Sequence, residues 1–218
     1  MKILGIIPAR GGSKRLPRKN LADLGGKPLI QWSIDTAIES KVFDKLFVST
    51  EDEEIGKIAG ELWWKRDPLL AKDDTPSIKV VEEILDKVDC TVSVLLQPTS
   101  PFRSVEDIQK SLKLIQTTNA DSVFSTKEGP KDLAYQMGWA NRLRSVPDIV
   151  MPNGSLFLLT TDAFRRGEDW FTGNTYGYPM PKERSLDIDT PWDLELANIM
   201  IKNGMHKPTR LEEVLKYG

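Results

Sequence analysis

Short apolar runs alternate with helical patterns along most of the 218-residue chain. The runs KILGIIP (2–8) and TVSVLLQ (91–97) are nearly continuous in apolar residues, which is typical of strands buried on both faces of a parallel sheet. Between them, segments such as PLIQWSIDTAIES (28–40) carry apolar residues at roughly helical spacing. Strands that alternate with crossover helices predict an α/β fold with three layers and a mostly parallel sheet. Ligands of such sheets bind beyond the carboxyl ends of the strands.

The other elements follow the same alternation until residue 126. Ser104, followed three residues later by Asp107, is a capping signature that starts a helix. The further predicted strands are 45–50, 62–66, 121–126 and 154–161, and the further predicted helices are 51–61, 77–88 and 104–116. Residues 185–201 predict a short strand end and then a helix, and a charged helix follows at the C-terminus.

Residues 127–150 interrupt this alternation. The segment has two prolines, two glycines and interleaved aromatic residues, with no clean period. We interpret it as an excursion from the sheet, either a lid or an arm that packs on a second subunit. With no internal repeat and no linker, the sequence predicts one domain over residues 1–218 that carries this one insertion.

Composition excludes several classes of protein. A net charge of -2 and a pI of about 5.6 give no general positive field for nucleic acid or an acidic membrane. One cysteine, Cys90, and one histidine, His206, exclude an internal disulfide and metal sites built from several such residues. The apolar runs are too short for a signal peptide or a membrane span, so we expect a cytoplasmic protein without a nucleic-acid or membrane partner.

A cluster of cations and glycines follows the first predicted strand, in IIPARGGSKRLPRKN (6–20). Gly11 and Gly12 let the backbone approach a ligand and expose N–H groups to it. The cations around them are Arg10, Lys14, Arg15, Arg18 and Lys19. A polyphosphate is the ligand that uses both features, although the spacing matches neither a Walker A loop nor a dinucleotide fingerprint. From the residues alone, an ordinary solvated turn remains an equal alternative.

Two carboxylates stand two residues apart in LDIDTP (186–191). On an extended strand Asp187 and Asp189 share one face while Ile188 lies on the other. Paired carboxylates repel each other unless a cation lies between them, and Mg²⁺ accepts one or two carboxylates together with phosphate oxygens and water. The alternative is that Asp189 caps the helix that begins near Pro191, which leaves Asp187 without a role.

The motif PARGGSKRLPRKNL (8–21) resembles the N-terminal motif of the acylneuraminate cytidylyltransferases, the CMP-sialic acid synthetases. Four further segments are similar to later motifs of that family and occur in its order: RDPLLAKDDT (66–75), LLQPTSPFR (95–103), PNGSLFLL (152–159) and DIDTPWDLELA (187–197). The resemblance implies a Rossmann-like nucleotidyltransferase fold. It also implies a homodimer in which residues 127–150 form much of the dimer contact and the sugar pocket.

The resemblance further implies a reaction, in which CMP is transferred from CTP to the anomeric hydroxyl of a 2-keto sugar acid, pyrophosphate is released and Mg²⁺ is required. It implies that Arg10, Lys19, Asp187 and Asp189 are catalytic, with the two aspartates as metal ligands. The implied nucleotide-binding residues are Ala9, Arg10, Gly11, Ser13, Lys19, Asn20, Arg66 and Ser77, and the implied sugar-binding residues are Gln97, Thr99 and Asn153.

Several alternatives stay open from the sequence. N-acetylneuraminate, legionaminate, pseudaminate and related sugar acids all suit the motifs. A related nucleotidyltransferase of the Kdo or hexose type is a second hypothesis, and a catalytically silent nucleotide-binding module is a third. The presence of both Lys19 and the Asp187–Asp189 pair argues against a silent module.

Overall fold

The computed structural model describes residues 1–128 and 150–205. In chain order its strands are β1 (Ile3–Pro8), β2 (Asp23–Leu24), β3 (Lys27–Pro28), β4 (Lys45–Thr50), β5 (Trp63–Lys65), β6 (Val92–Leu96), β7 (Ser122–Glu128), β8 (Val150–Thr160) and β9 (Thr175–Pro179). β2 and β3 form a small hairpin, and the other seven build one sheet in the order β5-β4-β1-β6-β8-β7-β9. Neighbouring strands are parallel except that β8 runs antiparallel to β6 and β7. The predicted mostly parallel sheet is confirmed.

Within residues 1–128 and 150–205, six α-helices connect or flank these strands: α1 (Leu29–Ser40), α2 (Glu53–Ala59), α3 (Ser77–Leu85), α4 (Val105–Thr118), α5 (Thr161–Arg165) and α6 (Pro191–Lys202). Short 3-10 helices cover residues 19–21, 60–62, 68–71 and 182–184. The predicted capping box at Ser104 and Asp107 is confirmed, since each side chain bonds the other's backbone N–H. None of the described helices has both the length and the apolar composition that crossing a bilayer requires.

Helices cover both faces of the sheet. The alternation within β1 shows this, because Ile7 packs with α1, α2 and α4 while Leu4 and Ile6 pack with α3 and α5. A third apolar cluster lies at one edge of the sheet, where Leu16 and Ile188 are buried against the β2–β3 hairpin, α6 and the segment after β6. This cluster joins the loop after β1 to the segment that carries Asp187 and Asp189.

Both predicted borders of the insertion were wrong by a few residues. β7 extends to Glu128 and β8 begins at Val150, so residues 127, 128 and 150 belong to strands. β8 begins at Val150 and not at Asn153 and Gly154. Gly154 adopts φ +78° and the pairing register with β7 shifts near it, so the strand continues through a local irregularity. The rest of the predicted insertion, His206 and the predicted C-terminal helix lie outside the described residues.

In the C-terminal half one prediction is wrong and one strand was not predicted. Residues 185–189 are irregular and not a strand end, because they connect a 3-10 helix to α6 and pair with no strand among the described residues. No sequence pattern indicated β9, whose TYGYP stretch contains a glycine and a proline. Such residues are tolerated because β9 is an edge strand that, among the described strands, pairs with β7 alone.

Candidate active site

The residues predicted to bind ligand gather at one edge of the sheet. The parallel strands β1, β4, β5 and β6 all end there, so residues 9–20, Glu51, Arg66 and Gln97 emerge side by side. β8 runs in the opposite direction and brings Ser155 to the same edge, where its carbonyl accepts a hydrogen bond from the Gln97 N–H at 3.2 Å. We call this the carboxyl edge; it is where open α/β sheets bind ligands.

Every cation of the segment 10–20, which we call the basic loop, contacts a carboxylate from elsewhere in the chain. Arg10 and Lys14 contact Asp73, Arg15 and Lys19 contact Asp189, and Arg18 contacts Asp52 and Glu54. The side chains of Lys14 and Arg15 are 83% and 68% exposed, whereas that of Lys19 is only 16% exposed. The cations that the sequence assigns to phosphates are therefore paired with carboxylates of the protein in this structure.

The glycines of the basic loop differ in what surrounds them. The N–H of Gly11 donates to Glu51 at 2.7 Å, and a Cβ at Gly11 would lie 2.5 Å from Asp52 Oδ2. Only glycine fits this contact, so the space that we expected for a ligand is taken by an acidic side chain. A Cβ at Gly12 would meet nothing within 4 Å. In this structure Gly12, and not Gly11, is the glycine open to an approaching ligand.

Arg18 anchors the end of the basic loop. Its backbone has φ 55°, a left-handed conformation that few residues other than glycine adopt. Its guanidinium contacts Asp52 and Glu54, at the start of α2. The hydrogen bond from Arg18 is the main reason that the pKa of Asp52 is lowered, and the same bond raises the pKa of Arg18. Asp52 also caps α2 by accepting from two backbone N–H groups, so it joins the loop to the helix.

Lys19 and Asp189, two of the predicted catalytic residues, are in contact although they lie 170 positions apart in the sequence. Lys19 Nζ donates to Asp189 Oδ1 at 2.8 Å. The following residue, Asn20, is buried and donates to the carbonyl of Arg10 at 2.9 Å, while its Oδ1 has no partner among the described residues. Ala9 is buried and bonded through its N–H to Ser49, and Ser13 is half-buried. Asn20 and Ala9 thus shape the basic loop from beneath.

The Asp187–Asp189 segment is fixed by its middle residue. Ile188 is fully buried, and its N–H donates to the carbonyl of Thr99 at 2.8 Å. Burial raises the pKa of Asp187; a hydrogen bond from Thr99 opposes this, and the nearby charge of Asp189 adds to it. Asp187 has no cation in contact within the described part of the chain, whereas Asp189 has Arg15 and Lys19.

The alternative role of Asp189 as a helix cap is wrong. Thr190 is the N-cap of α6 and forms a capping box with Asp193. The carboxylate of Asp193 accepts from Thr190 Oγ1 at 2.7 Å and from the N–H of Asp189 at 3.1 Å. Both aspartates of the pair are therefore free of the capping role.

Two predicted nucleotide contacts have internal partners instead. Arg66 is 4% exposed, and its Nη2 donates to the carbonyl of Ser49 at 2.6 Å. Burial lowers the pKa of this guanidinium, although the charges of Glu51 and Glu83 oppose the shift. Ser77 begins α3 as predicted, and its Oγ accepts from Trp170 Nε1 at 3.1 Å. In this structure Arg66 and Ser77 hold neighbouring elements in place.

The predicted sugar contacts also differ in exposure. Gln97 and Thr99 are half-buried and directly follow β6. Asn153 is 4% exposed, and its amide is engaged on both sides: it donates to Ser185 at 2.9 Å and accepts from Ser125 at 2.5 Å. Asn153 therefore joins β8 to β7 and to residue 185, directly behind Asp187.

Sequence reasoning missed four residues of this edge. Three are the acidic partners Glu51, Asp52 and Asp73, and the fourth is the buried Arg103. The position of Glu51 and Asp52 directly after a strand was a usable signal, because strand ends meet at the carboxyl edge. Arg103, after a proline and a phenylalanine, gave no local signal of burial.

The acidic pair fits a magnesium ion that is bound largely by substrate. The described residues contain no cluster of three or more metal-ligating side chains, so this part of the chain offers at most two carboxylates here. Mg²⁺ keeps several waters and takes one or two carboxylates along with phosphate oxygens. Asp187 lies in a partly buried position that disfavours an uncompensated charge, and a cation beside it would relieve that cost.

Comparison with known proteins gives one family. A model described as Cytidylyltransferase matches residues 4–148. The N-acylneuraminate cytidylyltransferase of Streptococcus agalactiae serotype III (strain NEM316) is 38% identical over 210 residues, which cover 87% of this chain and 51% of that protein. The CMP-N,N'-diacetyllegionaminic acid synthase of Legionella pneumophila subsp. pneumophila is 31% identical over 230 residues, 93% of this chain and 97% of that protein.

A solved structure shares the fold. The structure of CMP:2-keto-3-deoxy-manno-octonic acid synthetase complexed with CTP superposes with a TM-score of 0.76 at 18% identity, covering 94% of this chain and all of that one. The chain spans about half the length of the N-acylneuraminate cytidylyltransferases that it matches.

Proposed function

Because the chain belongs to the cytidylyltransferase family, we propose that it transfers CMP from CTP to the anomeric hydroxyl of a nonulosonic sugar acid and releases pyrophosphate. The observation that carries this proposal is the contact of Lys19 with Asp189 at 2.8 Å, which joins the basic loop to the acidic pair at the carboxyl edge. Cations for a triphosphate and carboxylates for its metal therefore lie in one place. The names of the relatives support a sugar acid as the acceptor.

In this reaction the anomeric oxygen attacks the α-phosphorus, the bond from that phosphorus to the bridging oxygen of pyrophosphate breaks, and the hydroxyl proton leaves to base or solvent. Negative charge grows on the phosphoryl oxygens and on the leaving pyrophosphate, so catalysis rests on positioning and electrostatic stabilisation. Arg10 and Lys19 would stabilise that charge. The triphosphate would replace Asp73 and Asp189 as the partner of these cations.

Magnesium is the cofactor that we propose, with Asp187 and Asp189 as its protein ligands. When bound, it neutralises phosphate oxygens and favours departure of the pyrophosphate. Asp187 must be ionised to take part, and burial disfavours its ionised form until a cation arrives. If Lys19 moved from Asp189 to the phosphates, the Asp189 carboxylate would become available to the magnesium ion.

At the acceptor end, Gln97 and Thr99 are the half-buried polar residues that we assign to the sugar acid. We further propose a single nucleotidyltransferase domain, a homodimer formed partly by residues 127–150 and a cytoplasmic location. Light scattering of the purified protein tests the assembly. A dimeric mass is expected, and a monomeric mass at micromolar concentration would contradict this part of the proposal.

The function is tested by a pyrophosphate-release screen. Purified protein and Mg²⁺ are combined with CTP, ATP, GTP or UTP and with N-acetylneuraminate, N,N'-diacetyllegionaminate, pseudaminate or Kdo. We expect release with CTP and one of the first three acids, and little release without an acceptor. A clear GTP preference, equal release with every nucleotide, or turnover with Kdo alone would reject the proposal.

Two lysine variants extend the screen: one changes the site, and the other is its matched control. Lys19→Met removes the least exposed cation of the basic loop, and we expect turnover to fall on the order of a hundredfold or more. Lys2→Met removes an exposed cation that pairs with Asp89 at the opposite edge of the sheet, and it should leave turnover unchanged. An equal loss in both variants would show that general charge, and not the site, carries the activity.

A further inference from the structure

Arg103 places a fully buried guanidinium beneath the carboxyl edge. The residue is 2% exposed and follows the QPTSP motif (97–101) with Phe102 between them. Its Nη1 donates to the carbonyl of Ser155 at 2.8 Å and to the carbonyl of Gln97 at 3.2 Å. Its Nη2 donates to Ser33 Oγ, on α1, at 2.9 Å. One side chain thus connects the end of β6, the irregular part of β8 and α1.

This cation is unusual because backbone carbonyls, and not carboxylates, hold it. Among the described residues no carboxylate is in hydrogen-bond contact with Arg103, and its Nε has no partner. Burial lowers its pKa to about 10, with the charge of Asp107 opposing the shift. A buried charge without a contacting counter-ion is costly, and an apolar residue of similar volume is often as stable in such a place. Stability alone is therefore a poor reason for an arginine here.

Arg103 contacts Gln97 and lies near Thr99 in the same turn, and these are the residues that we assign to the acceptor. Gln97 is bonded through both backbone groups, since its N–H donates to Ser155 and its carbonyl accepts from Arg103. Two residues further, Thr99 bonds the side chain of Asp187 and the N–H of Ile188. A shift of the turn would move Gln97 and Thr99 together.

We propose that Arg103 is a positioning residue that fixes the turn 97–103 in the orientation needed to bind the sugar acid. The inference rests on the proposed function, and it adds a residue that itself touches no substrate. The planar fork of arginine reaches two carbonyls and a hydroxyl on three elements at once, which the single ammonium of lysine does not match. The basic loop, which we assign to the triphosphate, has no hydrogen bond to Arg103 among the described residues.

The test compares Michaelis constants for the two substrates. Wild type, Arg103→Lys and Arg103→Met are assayed by pyrophosphate release with CTP and with the sugar acid that wild type uses in the screen above. We expect KM for the sugar acid to rise about tenfold in Arg103→Met and less in Arg103→Lys, with KM for CTP changed less than about threefold, because small misplacement of a binding group is costly. Equal changes in both constants, or none, would overturn the proposal.

A stability-matched variant separates positioning from general loss of structure. Ile115→Ala removes buried apolar volume from α4, at the opposite edge of the sheet, and such truncations typically destabilise the folded protein. It should lower the melting temperature at least as much as Arg103→Met and leave both Michaelis constants near wild type. If Ile115→Ala shows the same selective rise in KM, the effect belongs to stability and the proposal is wrong.

Two further arms cover the other outcomes. If Arg103→Met does not fold, Arg103→Lys and Ser33→Ala decide, and a sugar-acid KM that is unchanged in both contradicts the proposal. If wild type shows no turnover, the proposed function fails separately, and amide hydrogen exchange then tests the positioning. The Gln97 amide should exchange faster in Arg103→Lys while amides of β1 stay protected, and unchanged exchange at Gln97 would contradict the role of Arg103.

Discussion

Most salt bridges of the basic loop join exposed side chains, with Lys14 83% and Arg15 68% exposed and Lys19, at 16%, the exception, whereas the side chains of the interior Asp107–Arg184 pair are 0% and 14% exposed. Exposed pairs contribute about 0–1 kcal/mol each, so a ligand can replace one partner at little cost. The buried pair is bidentate, at 2.8 and 2.9 Å, and Asp107 also accepts from Tyr178 and Ser104. Charges therefore serve two purposes in this protein. Those of the basic loop can exchange partners, and those of the interior fix geometry.

The largest expected effect comes from breaking the interior pair. Asp107→Asn removes the charge that Arg184 and Tyr178 face and leaves the guanidinium only partly compensated. We expect the free energy of unfolding to fall by about 3–5 kcal/mol, as is typical when one partner of a buried ion pair is lost. Urea denaturation measures it. A loss below about 1 kcal/mol, the value for an exposed pair, would erase the distinction between the two regions.

The same pair predicts the response to acid. Burial alone would raise the pKa of Asp107, but hydrogen bonds from Arg184 and Ser104 hold it below the ordinary value of 3.8. The folded protein therefore binds fewer protons than the unfolded chain, and the stabilisation is full above pH 3.8 and lost as the pH falls through the lowered pKa. Urea midpoints below pH 4 should fall more steeply for wild type than for Asp107→Asn. Parallel pH profiles would contradict this assignment.

The fold was predictable because it follows from local patterns. The apolar runs of β1 and β6 and the capping box at Ser104 act within a few residues, and each predicted the correct element. β9 was not predictable, since an edge strand of mixed composition is set by its pairing with β7 and not by its own sequence. The irregular path at 185–189 likewise depends on the distant carbonyl of Thr99.

Candidate site residues could be proposed from the sequence, but the partners of their side chains could not be predicted. The motifs named Lys19 and Asp189, but nothing local to either shows that they touch across 170 positions. The engagement of Asn153 with Ser125 and Ser185, and the burial of Arg103, arise from tertiary packing alone. Sequence patterns report chemistry and periodicity, whereas the choice of partner for each charge is decided by the assembled fold.

The next largest effect concerns the acidic pair. Asp187→Asn and Asp189→Asn keep the size of each side chain and remove a charge that we assign to magnesium. Turnover should fall on the order of a hundredfold or more in each. Folding should survive, since Thr190 and Asp193 supply the cap of α6 and since the raised pKa of Asp187 shows that its charge is disfavoured in the folded state.

Pyrophosphate release against magnesium concentration measures this effect, with thermal melting as the folding control. Wild-type activity that persists in excess EDTA would remove the metal from the proposal. Near-normal turnover and magnesium dependence in both folded variants would remove the pair from the metal site.

The smallest expected effect lies in the exchangeable region. Asp73→Asn takes away the carboxylate that Arg10 and Lys14 share, so the triphosphate no longer competes with it. We expect KM for CTP to fall about twofold to fivefold, in line with the weak net value of exposed pairs. Asp74→Asn removes the same charge one residue away and should change KM less. A rise in KM for CTP in Asp73→Asn would show that Asp73 supports nucleotide binding.

A crystal structure of the protein with CTP and Mg²⁺ tests whether the cations of the basic loop exchange carboxylates for phosphates while the interior contacts stay fixed. We expect Arg10 and Lys19 to leave Asp73 and Asp189 and contact the phosphates, while the hydrogen bonds of Arg103 to Gln97 and Ser155 and the Asp107–Arg184 pair remain as they are. Phosphates bound elsewhere with the loop pairs intact, or interior pairs that rearrange while the loop pairs persist, would contradict this expectation.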